Sequence, residues 1–224
     1  MRDGERWLTF DCYGTLVDWR HGIEASCELL FPGRGLDLLE AYNRHESLVE
    51  AERPRSRYRE VLAEAMRRAA ADLGLALAPD DAAVLATTLP FWPVFEDVAP
   101  ALGQLRDEGW HLALLTNCDR DLVALTQRRL PVPFDVAVTA EEVGAYKPDH
   151  AHFQRFQEAF GNAAATWIHV AQSYFHDIRP AAARGLSPIW INRLGESDDA
   201  TLADAVLPDL RRLPETVRSL SAGS

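Results

Sequence analysis

Asp11 is the residue of this chain best placed to do chemistry. It follows a short apolar run at residues 7–10, which is typical of a buried strand, and Gly14 after it permits an abrupt turn. A carboxylate at the C-terminal end of a parallel strand lies where open α/β sheets bind their ligands. Such a group is a nucleophile when it is kept ionised and aimed at a substrate. A single Asp in this position also serves as a turn cap, so other residues must decide its role.

Three later stretches also deliver polar residues to strand ends. One ends a strand with a hydroxyl and an amide, one places a lysine in a loop before a helix, and one ends with an acid where a helix begins. Each signal alone is common in turns, on solvated loops or at helix caps. In this order, and on this alternation of strands and helices, they form a specific signature. Its members are Asp11 and Thr15, Thr116 and Asn117, Lys147, and Asp177.

The elements that must position these residues fall into two groups. After residue 95, strands are expected at 111–116, 135–139, 167–171, 187–192 and 205–207, with helices between them. This alternation predicts a parallel sheet with helices on both faces. Residues 20–93 are helical throughout, with candidate helices at 23–31, 36–49, 58–73 and 81–89. The sequence therefore predicts an α/β core of residues 1–18 and 96–224, with a helical-bundle cap of residues 19–95 inserted after the first strand.

The composition excludes several classes of protein. The chain of 224 residues is 47% hydrophobic and 25% charged, as in globular proteins, and no apolar run approaches the length of a membrane span. Its net charge of −11 argues against nucleic acid or an anionic membrane as a partner. Its three cysteines form no disulfide or zinc pattern, so we expect a cytoplasmic protein. Cys12 and Cys118 are expected to be small buried side chains.

With these motifs, the chain resembles the haloacid dehalogenase superfamily, whose four motifs match in order over essentially the whole length. The resemblance implies a Rossmann-like core in which Asp11 is a covalent nucleophile. It implies that Thr116 and Asn117 hydrogen-bond the reacting group. It also implies that Lys147 is the cation of the site and that Asp177 is the closing acid. The helical insert is similar to the mobile cap of that superfamily.

The implied roles agree with the chemistry of these groups. Lys147 would keep Asp11 ionised, because a nearby opposite charge lowers the pKa of a carboxyl group. Asp177 would offset that cation and orient or deprotonate the water that hydrolyses the ester. Thr15 would fix the attack geometry together with the hydroxyl and amide of the second motif. Positioning of this kind contributes roughly 7–11 kcal/mol to lowering a barrier.

Tyr13 indicates which branch of the superfamily the chain resembles. Most members transfer phosphoryl groups, and a second Asp at this position protonates the leaving alcohol. General acid catalysis contributes about 10²–10⁴-fold, and a halide needs no proton. The run from Tyr13 to Leu16 is similar to that of type II (S)-2-haloacid dehalogenases. This resemblance implies displacement of a halide from C2 of a small carboxylic acid, with no metal and no cofactor.

The chain departs from that branch at the fourth motif, where Gln172, Ser173 and Tyr174 replace small serines and an asparagine. A further departure is Phe153, where the branch has a tyrosine. The first and fourth motifs, together with Asp18-Trp19, look closer to a neighbouring group that includes a hydrolase opening the strained ring of azetidine-2-carboxylate. Both assignments share hydrolytic displacement at a carbon that bears a carboxylate.

A substrate carboxylate requires a cation, and the branch takes an arginine from its cap. Arg44 is the first candidate, while Arg53, Arg55, Arg57 and Arg59 either compete with it or form a solvated helix face. Trp19 either walls the entrance or packs in the core, and His176 either orients Asp177 or only begins a helix. The expected substrate-binding residues are Tyr13, Trp19, Arg44, Ser173 and Tyr174.

Three functions remain open at this point. The first is a hydrolase that displaces a halide, or a strained-ring amine, from a small 2-substituted carboxylic acid. The second is a Mg²⁺-dependent phosphatase of low efficiency, in which Asp11, the Tyr13 carbonyl and Asp177 hold the ion. The third is a non-catalytic binding protein on the same fold. An exposed apolar helix face on the cap would indicate a homodimer.

Overall fold

Six parallel strands form the sheet at the centre of the computed structural model, which describes residues 4–222. Their order across the sheet is β3-β2-β1-β4-β5-β6, so the strand that carries Asp11 is central. The strands are β1 Arg6–Phe10, β2 His111–Thr116, β3 Val136–Thr139, β4 Thr166–Ala171, β5 Ser187–Ile191 and β6 Ala205–Leu207. The predicted α/β class is confirmed, and the predicted strands agree with the observed ones to within one residue at each end.

Four helices follow β1 and form a layer over the C-terminal ends of the strands; we call them the helical layer. They are α1 Trp19–Leu30, α2 Gly35–Glu52, α3 Tyr58–Asp72 and α4 Val84–Thr88. Apolar residues recur every three or four positions along α3, and Val61, Leu62 and Met66 are fully buried. The predicted helix at 81–89 is shorter than expected, because 3₁₀ turns at Asp81–Ala83 and Leu89–Phe91 flank α4.

Two neighbouring crossings of the chain join the helical layer to the sheet. The chain leaves at residues 16–18 and returns at 93–95, and the two segments are hydrogen-bonded to each other. Asp18 N donates to Pro93 O at 2.8 Å, and Phe95 N donates to Leu16 O at 3.0 Å. These two segments form the covalent connection of the layer to the sheet, next to the C-terminal end of the central strand β1.

Asp119, in the loop after β2, is a second connection between the sheet and the helical layer. Its carboxylate accepts from the backbone N–H of Tyr58 at 2.7 Å and of Arg59 at 3.2 Å, the first two residues of α3. The Arg59 guanidinium also donates to it at 2.7 Å. Because the first N–H groups of a helix have no partner within the helix, Asp119 caps α3 from the sheet side.

Helices cover both faces of the sheet, and its side chains alternate between two apolar layers. The helices around the sheet are α5 Val98–Asp107, α6 Arg120–Gln127, α7 Ala140–Val143, α8 Ala151–Ala159, α9 Arg179–Ala183 and α10 Leu213–Ala222. On one face Leu8 and Phe10 of β1 join the main core, and on the other Trp7 packs with Phe153 and Phe156 of α8. Burial on both faces explains why the strands are continuous apolar runs.

The division of the chain into a core of residues 1–18 and 96–224 and a cap of residues 19–95 stays a prediction. Three leucines on α1 and α2, namely Leu29, Leu36 and Leu48, are 72%, 53% and 53% exposed. The homodimer that such a face indicates is likewise a prediction. Between residues 4 and 222, the helices are too short or too polar to span a bilayer.

Candidate active site

Asp11 follows β1 directly, and both oxygens of its carboxylate are held. Lys147 Nζ donates to Oδ1 at 2.9 Å, and Thr15 Oγ1 donates to Oδ2 at 2.9 Å. Thr15 Oγ1 also accepts from the backbone N–H of Gln172 at 2.9 Å, which directs its own hydrogen to Asp11. Gly14 makes the turn possible, because its φ is +103° and a Cβ there would lie 2.9 Å from Gln172 Oε1. The carboxylate is therefore buried and fixed in orientation.

Lys147 reaches the same point from the loop between α7 and α8. Its ammonium donates to Asp11 Oδ1 at 2.9 Å, to Asp177 Oδ1 at 2.7 Å and to the Leu115 carbonyl at 2.8 Å. The Asn117 amide holds the backbone of this lysine on both sides: Oδ1 accepts from Lys147 N at 2.6 Å, and Nδ2 donates to Lys147 O at 3.1 Å. Asn117 thus orients the lysine, and its implied contact with the reacting group stays a prediction.

Asp177 is oriented by a row of buried hydrogen bonds behind the sheet end. Trp167 Nε1 donates to Thr9 Oγ1 at 2.9 Å, so the Thr9 hydroxyl hydrogen is free to be donated to His169 Nδ1 at 2.9 Å. His169 Nε2 then carries the ring hydrogen and donates it to Asp177 Oδ1 at 3.0 Å. Among residues 4–222, Asp177 Oδ2 has no hydrogen-bond partner. That oxygen is buried and unsatisfied, so a ligand or a water molecule that reached it would supply the missing partner.

The charges of the three central groups follow from burial and from each other. Burial raises the pKa of Asp11, and Asp177 adds to the rise, while Lys147 and Thr15 oppose it. Burial also acts to raise the pKa of Asp177, but Lys147 and His169 outweigh it and lower that pKa to about 2. Burial disfavours the charge of Lys147, yet the two carboxylates raise its pKa. The predicted effect of Lys147 on Asp11 has the right sign, but burial outweighs it.

Thr116 and Tyr13 lie beside the nucleophile on different elements. Thr116 ends β2 and is 1% exposed, and its Oγ1 has no hydrogen-bond partner within residues 4–222. The Tyr13 hydroxyl contacts Thr126 Oγ1 at 2.9 Å, and Thr126 already donates to the Leu122 carbonyl, so Tyr13 is the donor. Burial raises the pKa of Tyr13 well above its ordinary value. The phenol is therefore neutral and its hydrogen is engaged away from Asp11.

A cavity of about 300 Å³ lies between these strand ends and the helical layer. The structure brings the predicted catalytic residues together at its floor, with Thr15 beneath Asp11. Trp19 and Ser173 also line the cavity, as predicted for substrate-binding residues. His176 is a further lining residue, and Ser173 Oγ contacts its Nδ1 at 3.0 Å. Eight predicted residues line the cavity: Asp11, Tyr13, Trp19, Thr116, Asn117, Lys147, Ser173 and Asp177.

Two predicted substrate-binding residues lie outside the cavity. Arg44 is exposed on α2 and pairs with Asp72 at 3.3 Å. It is two residues before Glu46, which lines the cavity, and a two-residue step rotates a helical side chain by about 200°. Tyr174 turns away because the chain forms a π-helical turn from Tyr174 to Ile178. The Tyr174 hydroxyl donates to the Asp199 carbonyl at 2.9 Å, and its ring packs on Trp190.

Phe153 and the cysteines have structural surroundings. Phe153 lies in the apolar layer on the α8 side of the sheet, with its ring edge-on to His169 at 4.9 Å. Cys12 and Cys118 are fully buried, and burial raises the pKa of both thiols. A neutral buried thiol is a poor nucleophile, which agrees with the prediction that these cysteines only pack.

Several cavity residues were not predicted. Arg20 lines the cavity from α1, with its guanidinium carbon 5.6 Å from the centre of the Trp19 ring. Glu46 and Glu50 line it from α2. Their spacing of four residues places them on one helix face, which is a signal present in the sequence. His169 was not predicted either; it does not line the cavity but contacts Asp177 from β4.

The donor set fits a divalent cation poorly. Asp11 and Asp177 each direct Oδ1 at Lys147. The position two residues after Asp11, which could supply a further carboxylate, is occupied by Tyr13. In the stretch from residue 4 to residue 222, no group of three His, Cys, Asp or Glu side chains is arranged to hold a metal ion. Octahedral magnesium prefers several free oxygen ligands. The residues present at this site therefore do not fit a magnesium ion.

The comparisons with known proteins agree with this geometry. A model of the haloacid dehalogenase-like hydrolases matches residues 6–185, which include all four motifs. An (S)-2-haloacid dehalogenase from Pseudomonas sp. (strain YL) is 26% identical over 196 residues, covering 84% of this chain and 83% of that protein. A solved L-2-haloacid dehalogenase is 28% identical, covers 96% of this chain and 99% of that one, and has a TM-score of 0.84. Another, from Xanthobacter autotrophicus, is 22% identical with a TM-score of 0.84, covers 96% and 99% of the two chains, and shows the same fold. The chain, with its motifs in order from Asp11 to Asp177, belongs to the haloacid dehalogenase-like hydrolases.

Proposed function

We propose that this hydrolase displaces a leaving group from C2 of a small carboxylic acid through an ester formed on Asp11. The observation that carries the proposal is the buried Asp11 carboxylate on the cavity floor, held by Lys147 and Thr15, with Tyr13 in place of a proton-donating acid. A 2-haloacid is the simplest substrate of this kind. The (S)-2-haloacid dehalogenase that the chain resembles supports this assignment. A strained-ring amine at C2 is the alternative leaving group.

In the first step, an Asp11 oxygen attacks C2 from the side opposite the leaving group. The new C–O bond forms as the bond to the leaving group breaks, and the departing atom takes the electron pair. A halide departs as a stable anion, so the step needs no acid, in agreement with Tyr13. Lys147 and Thr15 hold the carboxylate in one orientation, and such alignment contributes several kcal/mol to lowering the barrier.

In the second step, water attacks the carbonyl carbon of the Asp11 ester. Asp177 Oδ2, which has no protein partner within residues 4–222, accepts the water proton. The Thr116 hydroxyl and the Lys147 ammonium are the groups that would stabilise the negative charge on the ester oxygen. The C–O bond of the ester then breaks on the carbonyl side, and the departing alkoxide takes the proton from Asp177, which releases a 2-hydroxy acid. The restored Asp11 carboxyl group loses its proton to solvent. C2 is inverted once over the two steps. No cofactor is proposed.

Arg20, rather than Arg44, is proposed to bind the substrate carboxylate. Among the lining residues of the described chain, the cations are Lys147 and Arg20, and Lys147 is already engaged by two carboxylates. Arg20→Ala is expected to raise KM about tenfold to a hundredfold with a smaller change in kcat, because it removes a charged hydrogen bond to substrate. Steady-state kinetics on 2-chloropropanoate measures this. Arg44→Ala is the matched control, and an equal rise in KM there would contradict the assignment.

His169 is proposed to keep Asp177 ionised and directed at the water. His169→Leu removes a hydrogen-bond donor to Asp177, so the pKa of Asp177 rises. As the pH falls, Asp177 therefore becomes protonated, and inactive as a base, at a higher pH than in the wild type. We expect kcat to fall about tenfold to a hundredfold, as for other residues that orient a catalytic group, and the acid limb of the pH–kcat profile to move to higher pH. His169→Gln retains an N–H donor and is expected to restore part of both. An unchanged profile in His169→Leu would contradict this role.

A substrate panel without added metal tests the proposed function. It contains 2-chloropropanoate, 2-bromopropanoate, fluoroacetate, azetidine-2-carboxylate and a chromogenic phosphate ester, with and without EDTA. Release of halide, or ring opening, that persists in EDTA is the expected result. Turnover of the phosphate ester alone, lost on adding EDTA, would instead establish the phosphatase. Inactivity on the whole panel would favour a binding protein.

The setting that we propose for this reaction is the cytoplasm. The negative net charge supports a small-molecule hydrolase without nucleic acid or membrane as a partner. The exposed leucines of the helical layer support a homodimer. A molecular mass near twice the 25.0 kDa of one chain in analytical ultracentrifugation would agree with the dimer.

A further inference from the structure

The cavity contains more carboxyl groups than its proposed chemistry uses. Asp11 and Asp177 share Lys147, and Arg20 is left for a substrate carboxylate. Glu46 and Glu50 on α2 line the same cavity, on the side of the helical layer. A purely anionic substrate would add a further negative charge beside these two groups. Their presence therefore demands an explanation that the displacement of a halide does not supply.

Glu50 is nine-tenths buried, with 8% of the residue exposed. Its nearest polar contacts are weak: Asn117 Nδ2 lies 3.5 Å from Oε1, and His176 Nε2 lies 3.8 Å from Oε2. Burial and the neighbouring Glu46 raise the pKa of Glu50 well above its ordinary value, while Lys147 opposes the rise. Burial lowers the pKa of His176, so that ring is a poor counter-ion at neutral pH. A buried acid with such weak contacts favours the arrival of a cation.

Glu46 is oriented toward the same space by two tyrosines. Tyr42 and Tyr58 each donate a hydroxyl hydrogen to Glu46 Oε1, at 2.8 and 2.6 Å. Both hydrogen bonds stabilise the carboxylate form, although burial raises the pKa of Glu46 overall. The tyrosines engage only Oε1. These two hydrogen bonds therefore hold the side chain in position through one of its two carboxylate oxygens.

A second observation, on a different element, also points to a ligand in this cavity. Thr116 of β2 is 1% exposed and lines the cavity, and its Oγ1 has no partner among the described residues. A buried hydroxyl without a partner costs free energy unless a ligand satisfies it. The cavity thus combines an unsatisfied polar atom at the strand ends, a cation on α1 and two acids on α2.

We propose that the substrate is a small zwitterion, whose ammonium group is bound by Glu46 and Glu50. Its carboxylate is bound by Arg20, so this inference rests on the proposed function. The class is that of 2-substituted acids with a basic nitrogen, including cyclic secondary amino acids. The cavity of about 300 Å³ has room for a ligand of that size. The ammonium allows the two acids to ionise beside the substrate carboxylate, because it balances their negative charge.

Binding of two ligands of one shape tests the proposal without turnover. Proline and cyclopentanecarboxylate share ring size and carboxylate, and differ only in the ring ammonium. By isothermal titration calorimetry, the wild type is expected to bind proline about tenfold to a hundredfold more tightly, as for a hydrogen bond to a charged group. Equal affinities, tighter binding of cyclopentanecarboxylate, or no measurable binding of either ligand would overturn the inference.

Variants locate the preference within the cavity. Glu46→Gln with Glu50→Gln removes both acids but leaves an amide oxygen for Tyr42 and Tyr58, so the fold is expected to persist. The affinity ratio of the two ligands should fall to about one, whereas Glu40→Gln, an exposed change on the same helix, keeps the wild-type ratio. A ratio that stays high in the double variant would overturn the assignment to these residues.

Proton release is a separate readout. An ammonium group lowers the pKa of the acids that bind it, so proline binding should release protons near neutral pH, while cyclopentanecarboxylate should release fewer. Calorimetry in buffers of different ionisation enthalpy measures this difference, and equal release would count against the proposal. Halide release from 2-chloropropanoate without any proline preference would refute this inference and leave the proposed function intact. Proline preference without displacement from any 2-substituted acid would refute the proposed function.

Discussion

Asp11→Asn is expected to abolish turnover, lowering kcat on the order of 10⁴-fold or more, as for the loss of other catalytic nucleophiles. The amide is nearly isosteric with the carboxylate, so its oxygen can still accept from Lys147 and its NH₂ group can donate to Thr15 Oγ1, but the amide lacks the negative charge needed to attack C2. Halide release or ring opening, measured with enzyme in large excess, checks the loss of the first step. A melting temperature close to that of the wild type would show that the fold persists.

The covalent step has its own measurement. Under single-turnover conditions in heavy-oxygen water, the proposed mechanism places the label in the Asp11 carboxylate, because water attacks its carbonyl carbon. Mass spectrometry of the peptide that contains Asp11 detects the label. Label found only in the 2-hydroxy acid would show that water attacks C2 directly, which contradicts the ester intermediate.

Lys147→Met is expected to have the largest effect on stability. It removes the ammonium that lies between Asp11 and Asp177, and two buried carboxylates would remain without a counter-ion. Breaking a buried ion pair by removing one partner costs about 3–5 kcal/mol. For a chain of this size, that corresponds to a decrease of roughly 6–20 °C in melting temperature. Activity is lost as well, since the nucleophile would be protonated and its orientation relaxed.

A double variant separates the charge effect from a packing effect. Lys147→Met with Asp177→Asn removes one buried negative charge, and the Asn oxygen can still accept from His169 Nε2. More than half of the lost melting temperature should return, while activity stays absent. Differential scanning calorimetry of the three proteins measures this. A double variant no more stable than Lys147→Met would indicate that the lysine acts through packing.

Local pattern was enough to predict the floor of the site. Each strand is a short apolar run buried on both faces, so its end can be recognised, and the polar residue that follows must lie at the edge of the sheet. This is why Asp11 and Thr116 could be predicted at the strand ends, whereas Asp177, six residues beyond the end of β4, required the order of the motifs. Lys147 required the order of the motifs, since a lysine in a loop has no local signal of burial.

The wall formed by the helical layer could not be predicted in the same way. Which side of α2 faces the cavity depends on how α1, α2 and α3 pack, and the hydrophobic pattern of α2 is weak because Glu46 and Glu50 interrupt its apolar face. Arg44 was therefore chosen by residue type, while the helix turns it outward. Tyr174 lies outside the cavity for a different reason: the π turn at its position shifts the direction of the side chains that follow β4.

Asp119 also has a consequence for ligand binding. The carboxylate that caps α3 belongs to the loop just after Thr116 and Asn117, and the first residue of α3, Tyr58, lines the cavity. A ligand that contacts both Tyr58 and Thr116 bridges the same two elements that Asp119 joins, so the helix cap and such a ligand are expected to stabilise each other.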